Sequence, residues 1–186
     1  MGKVTAIAMA QAGVAGLVLF ARSDLSATKD ACLASQRAGQ SLRVLTFAVD
    51  IANNEHVVAA VNKAGEVFGR LDIVINNAAQ VGDYNLIADS DAQKWWGIWD
   101  INLRGAYHVV RAVLPLLIRS NGDKTIINVA SYGAVHIAPT ISSYCVKPNP
   151  TPRIFASDCL QICRLRNLRF CASLNLLLPN TVTREF

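Results

Sequence analysis

The sequence lacks what a metal centre, a disulfide framework or a redox thiol pair would require. Its five cysteines are an odd number, and no two stand in a Cys-x-x-Cys pattern; the nearest pair, Cys159 and Cys163, is four apart. The three histidines, His56, His108 and His136, are scattered. This usage speaks against a metal site and reads as reduced structural thiols in a cytoplasmic protein. Charge is also sparse, at 17% of residues, and uneven. Of the net +5, residues 147–186 hold +4, with six Lys/Arg against two Asp/Glu. An Arg-bearing tail can touch nucleic acid, but this one has no heptad, zinc spacing or aromatic ladder, so no nucleic-acid partner is expected. Long apolar runs are missing as well. Lys3 followed by Val4 to Ala21 has the outline of a signal segment, yet it falls short of the about 20 residues a span needs, and Gln11, Gly13 and Gly16 interrupt it. Met1-Gly2 is followed by Ala6 where a myristoylation signal wants Ser or Thr. No membrane attachment is expected.

What is present is a chain of 186 residues, 52% hydrophobic, enough for one globular domain with a real core. Val4, Ile7 and Ala8 predict a helix over residues 2–12 with Gly13 as its stop. Leu17 to Ala21 reads as a buried strand, with Asp24 or Ser26 opening a helix that runs to Gly39. Leu42 to Val49 is a strand, and Asn53 or Asn54 opens a helix through Phe68. Leu71 to Ile75 is a further strand. Helices are expected near Asp91–Ile101 and Leu103–Arg119, then a strand at Thr125. Strands alternating with helices predict a parallel sheet with helices on both faces. In such sheets ligands sit at the carboxyl ends of the strands, which selects Arg22, Asp50, Asn76 to Ala79 and Ser131 as one rim.

The chain is organised around residues 125–147, TIINVASYGAVHIAPTISSYCVK. Ser131 follows the apolar run, Tyr144 comes thirteen residues later and Lys147 three after that. A free phenol has a pKa near ~10 and is a poor base at neutral pH. A neighbouring ammonium favours the phenolate, so the phenol can exchange a proton with an alcohol or alkoxide. Together with Asn76-Asn77-Ala78-Ala79 after a buried strand, this constellation resembles the short-chain dehydrogenase/reductase family, over residues 2 to about 147.

The resemblance implies a Rossmann-like, doubly wound parallel α/β sheet and an oxidoreductase that interconverts a carbonyl and an alcohol. Tyr144 would be general acid/base, Ser131 would hydrogen-bond the substrate oxygen, and Lys147 would lower the tyrosine pKa and bind the nicotinamide ribose. Asn102, in the segment Asn102-Leu103-Arg104-Gly105, would bend a helix and hold a water in a proton relay. Asn77 and Ala78 would bring backbone against the cofactor, and Asp50 would touch the adenine, although an N-cap is its plain structural use. Arg22 at a strand end favours a 2′-phosphate, hence NADP before NAD, and Asp24 nearby argues the other way. Arg111 would approach the cofactor, or serve as a surface ion-pair residue. Trp95, Trp96 and Trp99 read as packing or interface residues. A small carbonyl or alcohol is the expected substrate, and the helices over 91–119 would support self-assembly.

Three departures from the family pattern carry expectations of their own. Only Gly2 matches the last glycine of the family's Thr-Gly-x-x-x-Gly-x-Gly loop, so the first strand and the Gly-rich loop are expected to be missing from the sheet, leaving the strands at Leu17 and Leu71 with unpaired edges. Residues 1–147 then form an incomplete dinucleotide-binding domain. Lys147 stands one place nearer to Tyr144 than in the family's Tyr-x-x-x-Lys, a shift of about 100° and ~1.5 Å on a helix, and Pro148 opposes helix there. Residues 148–186 form a divergent segment of the same domain, in which three of the six prolines fall at 148, 150 and 152. There Leu168 to Leu174 could supply a strand, and Pro179-Asn180-Thr181-Val182-Thr183 echoes the family's Pro-Gly-x-Val-x-Thr, setting Val182 beside the cofactor. The abrupt change near Val146 predicts a shift of reading frame or splicing, checked by sequencing the full transcript. The competing expectation is a truncated, inactive homologue that binds no cofactor.

Overall fold

The structure, a computed structural model, describes residues 1–131 and 140–144, together with the backbone of residues 160–164 and 171–173. Helix α1 (Gly2–Ala12) stops where the sequence places its stop: Gly13 takes a left-handed φ of 91°, and its amide closes on the Ala10 carbonyl. Strand β1 (Gly16–Ala21) follows. Helix α2 (Ser26–Ala34) has Leu25 at its N-cap, with no side-chain cap bond, rather than the expected Asp24 or Ser26; the Ser26 amide and hydroxyl both bond to Asp24 Oδ1, and the helix ends five residues before Gly39. The Gln40 amide bonds the Arg37 carbonyl instead, so Gly39 belongs to a separate turn. After strand β2 (Arg43–Ala48), Asn53 caps helix α3 (Asn54–Phe68), its Oδ1 accepting from the amides of Glu55 and His56. Strand β3 (Ile73–Asn76) leads through a 3₁₀ turn at Ile87–Asp89 to helix α4 (Ala92–Trp99) and helix α5 (Ala106–Arg119), then strand β4 (Thr125–Val129).

The two helices expected on either side of Asn102 are not separated by a break. A π-helical turn, Asp100–Gly105, joins α4 to α5, and its flanking residues Trp99 and Ala106 keep right-handed helical angles. The extra residue of an i→i+5 turn is accommodated without uncoiling the rod.

Strands β1 and β2 pair in parallel, Leu17 opposite Val44; β3 and β4 pair in parallel, Ile73 opposite Thr125. Strands β5 (Leu160–Arg164) and β6 (Cys171–Ser173) extend the second sheet, β5 antiparallel to β4 and β6 antiparallel to β5. The strand expected over 168–174 is thus present in part, but not in a parallel arrangement. The six residues between β5 and β6 allow a hairpin, whereas a parallel crossover needs about a dozen. Among the described strands, β1-β2 and β3-β4-β5-β6 are separate sheets, with no ladder between β1 and β3.

Side-chain alternation puts a helical layer on each face. Leu17, Leu19 and Val44 pack with Ala6 and Ala10 of α1 and Cys32 of α2. Phe20, Phe47 and Val49 point the other way, into a cluster with Val57 and Val61 of α3, Val110, Val113 and Leu117 of α5, Val74 of β3 and Ile126 of β4. That second cluster spans both sheets and binds them into one core. The architecture is a doubly wound, Rossmann-like α/β fold.

Candidate active site

The carboxyl ends of β1 to β4 carry the rim picked out from the sequence. Arg22 stands one residue past β1 and is exposed. Its neighbour Asp24 is engaged by Ser26, whose hydroxyl and amide hold that carboxyl below its usual range. Past β2, Asp50 Oδ1 accepts the Ala52 amide at 3.0 Å and the Asp50 carbonyl accepts the Asn53 amide at 3.0 Å. Asp50 therefore shapes a tight turn, and the residue that caps the helix is Asn53.

Past β3, Asn77 is half-buried and Ala78 exposed. A Cβ on Gly2 would come within 3.0 Å of Asn77 Nδ2, so the start of α1 abuts this side chain. Asn77 Oδ1 is buried and, among the described residues, has no hydrogen-bond partner. Its predecessor Asn76 donates from Nδ2 to Asn128 Oδ1 at 2.8 Å, locking β3 to β4 at a register pair.

Asn102 lies in the π turn and reaches back to the loop after β3. Its Oδ1 accepts the Gln80 amide and its Nδ2 donates to the Gln80 carbonyl, both at 2.8 Å. The same turn supports the loop after β2. Gly105 is buried against Ile51, where a Cβ would sit 2.7 Å from Ile51 Cγ1. His108 Nδ1 lies 3.0 Å from the Ile51 carbonyl oxygen. Arg111 stands exposed on α5.

Ser131, half-buried, follows β4 by two residues. Tyr144, also half-buried, closes a turn in which its amide bonds the Ile141 carbonyl at 3.0 Å. Trp95 Nε1 donates to Ser142 Oγ at 3.0 Å and fixes that turn to α4. Trp95 stacks on Trp99 with centroids 5.7 Å apart, while Trp96 is exposed. Lys147 and Val182 lie outside the described residues. Among the described residues no group of three or more His, Cys, Asp or Glu could hold a metal ion, and no helix is long and apolar enough to cross a membrane.

Gln80, Gly105, His108 and the Trp95–Ser142 pair went unnoticed in the sequence as site residues. Only Gly105 had a signal, its place in the Asn-x-x-Gly segment; the other contacts join positions 22 to 57 residues apart.

The rim and the layers define a Rossmann-type α/β architecture. A family model described as enoyl-(acyl carrier protein) reductase matches residues 1–147. The chain is 43% identical over 146 residues to the short chain dehydrogenase mpl6 of Monascus purpureus, covering 77% of this chain and 50% of that protein. It is 40% identical over 152 residues to the short chain dehydrogenase tazN of Aspergillus terreus, covering 80% and 33%. Among solved structures, levodione reductase superposes with a TM-score of 0.68 at 28% identity, covering 77% of this chain and 55% of that one. NAD+-bound xylitol dehydrogenase gives 0.68 at 25% identity, covering 77% and 54%. The chain belongs to the short-chain dehydrogenase/reductase family. It spans about half the length of the first of these relatives.

Proposed function

We propose that this chain carries the dinucleotide-binding half and the proton-transfer residues of an NADP-dependent oxidoreductase that interconverts a carbonyl and an alcohol. The observation that carries the reading is Asn77 Oδ1, a buried acceptor without a partner among the described residues, on the strand rim beside the start of α1. An unmet buried acceptor costs about 1–3 kcal/mol, and a hydroxyl or carboxamide donor of a nicotinamide dinucleotide would relieve it. Asn77, Ala78 and Asp50 would line the cofactor, with Val182 and Arg111 as outer contacts. Arg22 would take a 2′-phosphate, and the engagement of Asp24 by Ser26 supports NADP over NAD.

The bound nicotinamide supplies the hydride. Tyr144 gives its phenolic proton to the carbonyl oxygen in reduction and takes it back in oxidation. Ser131 hydrogen-bonds that oxygen, and the Lys147 ammonium favours the phenolate. Asn102 supports the proton path while anchoring Gln80. Leu103, Tyr107 and Ile118 are exposed along one face of the rod, Tyr107 and Ile118 eleven residues apart, which supports self-association through α5.

A second reading, an inactive homologue that binds no dinucleotide, draws on the division of the sheet between β1 and β3. Titration of the purified chain with NADPH, followed by the fluorescence of its three tryptophans, separates the two. A saturable change, with turnover of simple ketones that Tyr144→Phe abolishes, supports the oxidoreductase; a flat titration supports the alternative.

A further inference from the structure

The loop after β2 is held to the helical rod by two contacts that no role above uses. Ile51 lies between the ladder of β2 and the first bond of α3, which Val57 makes to the Asn53 carbonyl. Its carbonyl is therefore beyond the regular partners a buried peptide group would use. It meets His108 Nδ1 at 3.0 Å instead. A carbonyl oxygen only accepts, so Nδ1 must carry the proton. The Ile51 side chain packs on Gly105, the position in the rod where a Cβ would collide with it. Between these anchors runs the turn that orients Asp50, through the Ala52 amide on Oδ1 and the Asn53 amide on its carbonyl.

We propose that His108 is a positioning residue for the adenosine end of the dinucleotide. By donating Nδ1–H to the Ile51 carbonyl it fixes the turn Asp50–Asn53 against the rod, and with it the direction of the Asp50 carboxylate. The cofactor part of this proposal rests on the reading of the rim as a dinucleotide site; the positioning of the turn does not. Because the π turn between α4 and α5 also holds Gln80 through Asn102, His108 ties the loop after β2 to the same rod that steadies the loop after β3.

Three measurements on the full chain test it. The ¹⁵N spectrum of wild-type His108 must show a protonated Nδ1; a tautomer with the proton on Nε2 alone overturns the proposal and requires no variant. His108→Leu, which removes the donor, should speed hydrogen exchange at the Ala52 and Asn53 amides about fivefold, the net worth of one such bond. His108→Asn, which keeps a donor near the Nδ1 position, should stay near the wild-type rate. Unchanged exchange in His108→Leu overturns the positioning role. Finally, His108→Leu should raise the NADPH dissociation constant about fivefold, and this increment should vanish in an Asp50→Ala background; increments that multiply would show that His108 does not act through Asp50. If wild type fails to bind NADPH at all, the dinucleotide reading fails and the cofactor role with it, while the first two measurements still decide the positioning of the turn.

Discussion

Asn102 grips Gln80 by both sides of one residue's backbone, accepting its amide and donating to its carbonyl at 2.8 Å each. The carboxamide thus does for an irregular loop what a neighbouring strand would do for a regular one. It makes both bonds from within the π turn Asp100–Gly105.

Asn102→Leu should therefore destabilise the fold by about 1–2 kcal/mol, the net value of two hydrogen bonds. Asn102→Asp keeps the acceptor but sets a carboxylate against the Gln80 carbonyl, so it should recover little. Chemical denaturation gives the loss, and amide exchange at Gln80 locates it. An unaltered Gln80 exchange rate in Asn102→Leu would refute the role.

Gly105→Ala should be destabilising because the new Cβ would lie 2.7 to 3.3 Å from three carbons of Ile51. Overpacking of this kind costs about 1–3 kcal/mol. Adding Ile51→Ala removes the two closest carbons, so the double variant should be more stable than the sum of the singles predicts. Strict additivity would mean that the loop after β2 does not press on the rod.

Asp72 predicts the acid limb of stability. Burial opposes its ionisation, but hydrogen bonds from Arg70 and Ser120 and the Arg70 charge outweigh it, so its carboxyl sits below the ordinary value. A depressed folded pKa contributes stability that is complete above about pH 4, the unfolded carboxylate value, and is lost as pH falls through the lower folded value. Asp72→Asn should be less stable at pH 7, by less than about 1 kcal/mol because the Arg70–Asp72 pair is solvent-accessible. The gap should close toward pH 3. Urea midpoints across that range test the sign; a gap that widens on acidification contradicts it.

Trp95→Phe removes the donor that holds Ser142, two residues before Tyr144. If Tyr144 is the proton donor, ketone reduction should slow severalfold while NADPH affinity stays the same, because only the turn bearing the phenol loses its tether. Steady-state kinetics with NADPH and a simple ketone separate the two; an equal loss in both parameters would place Trp95 at the cofactor instead.

Much of this was written locally. The apolar runs of β1 to β4, the left-handed Gly13 stop and the Asn53 cap follow from nearest-neighbour chemistry, and the rim residues follow from the rule that parallel strands offer ligands at their carboxyl ends. Where local signals competed, they misled: Gly39 reads as the end of α2 but serves a turn, and the two helices expected on either side of Asn102 are joined by a π turn into one rod.

The sequence by itself determined the alternation of strands and helices and the family, because those depend on spacing along one chain. Tertiary structure alone decided that Asn102 pairs with Gln80, that His108 meets Ile51, that Trp95 tethers the turn of Tyr144, and that the sheet divides between β1 and β3. Each of these joins residues far apart in the chain, through donors and acceptors whose partners are fixed only when the helices pack across the strand ends.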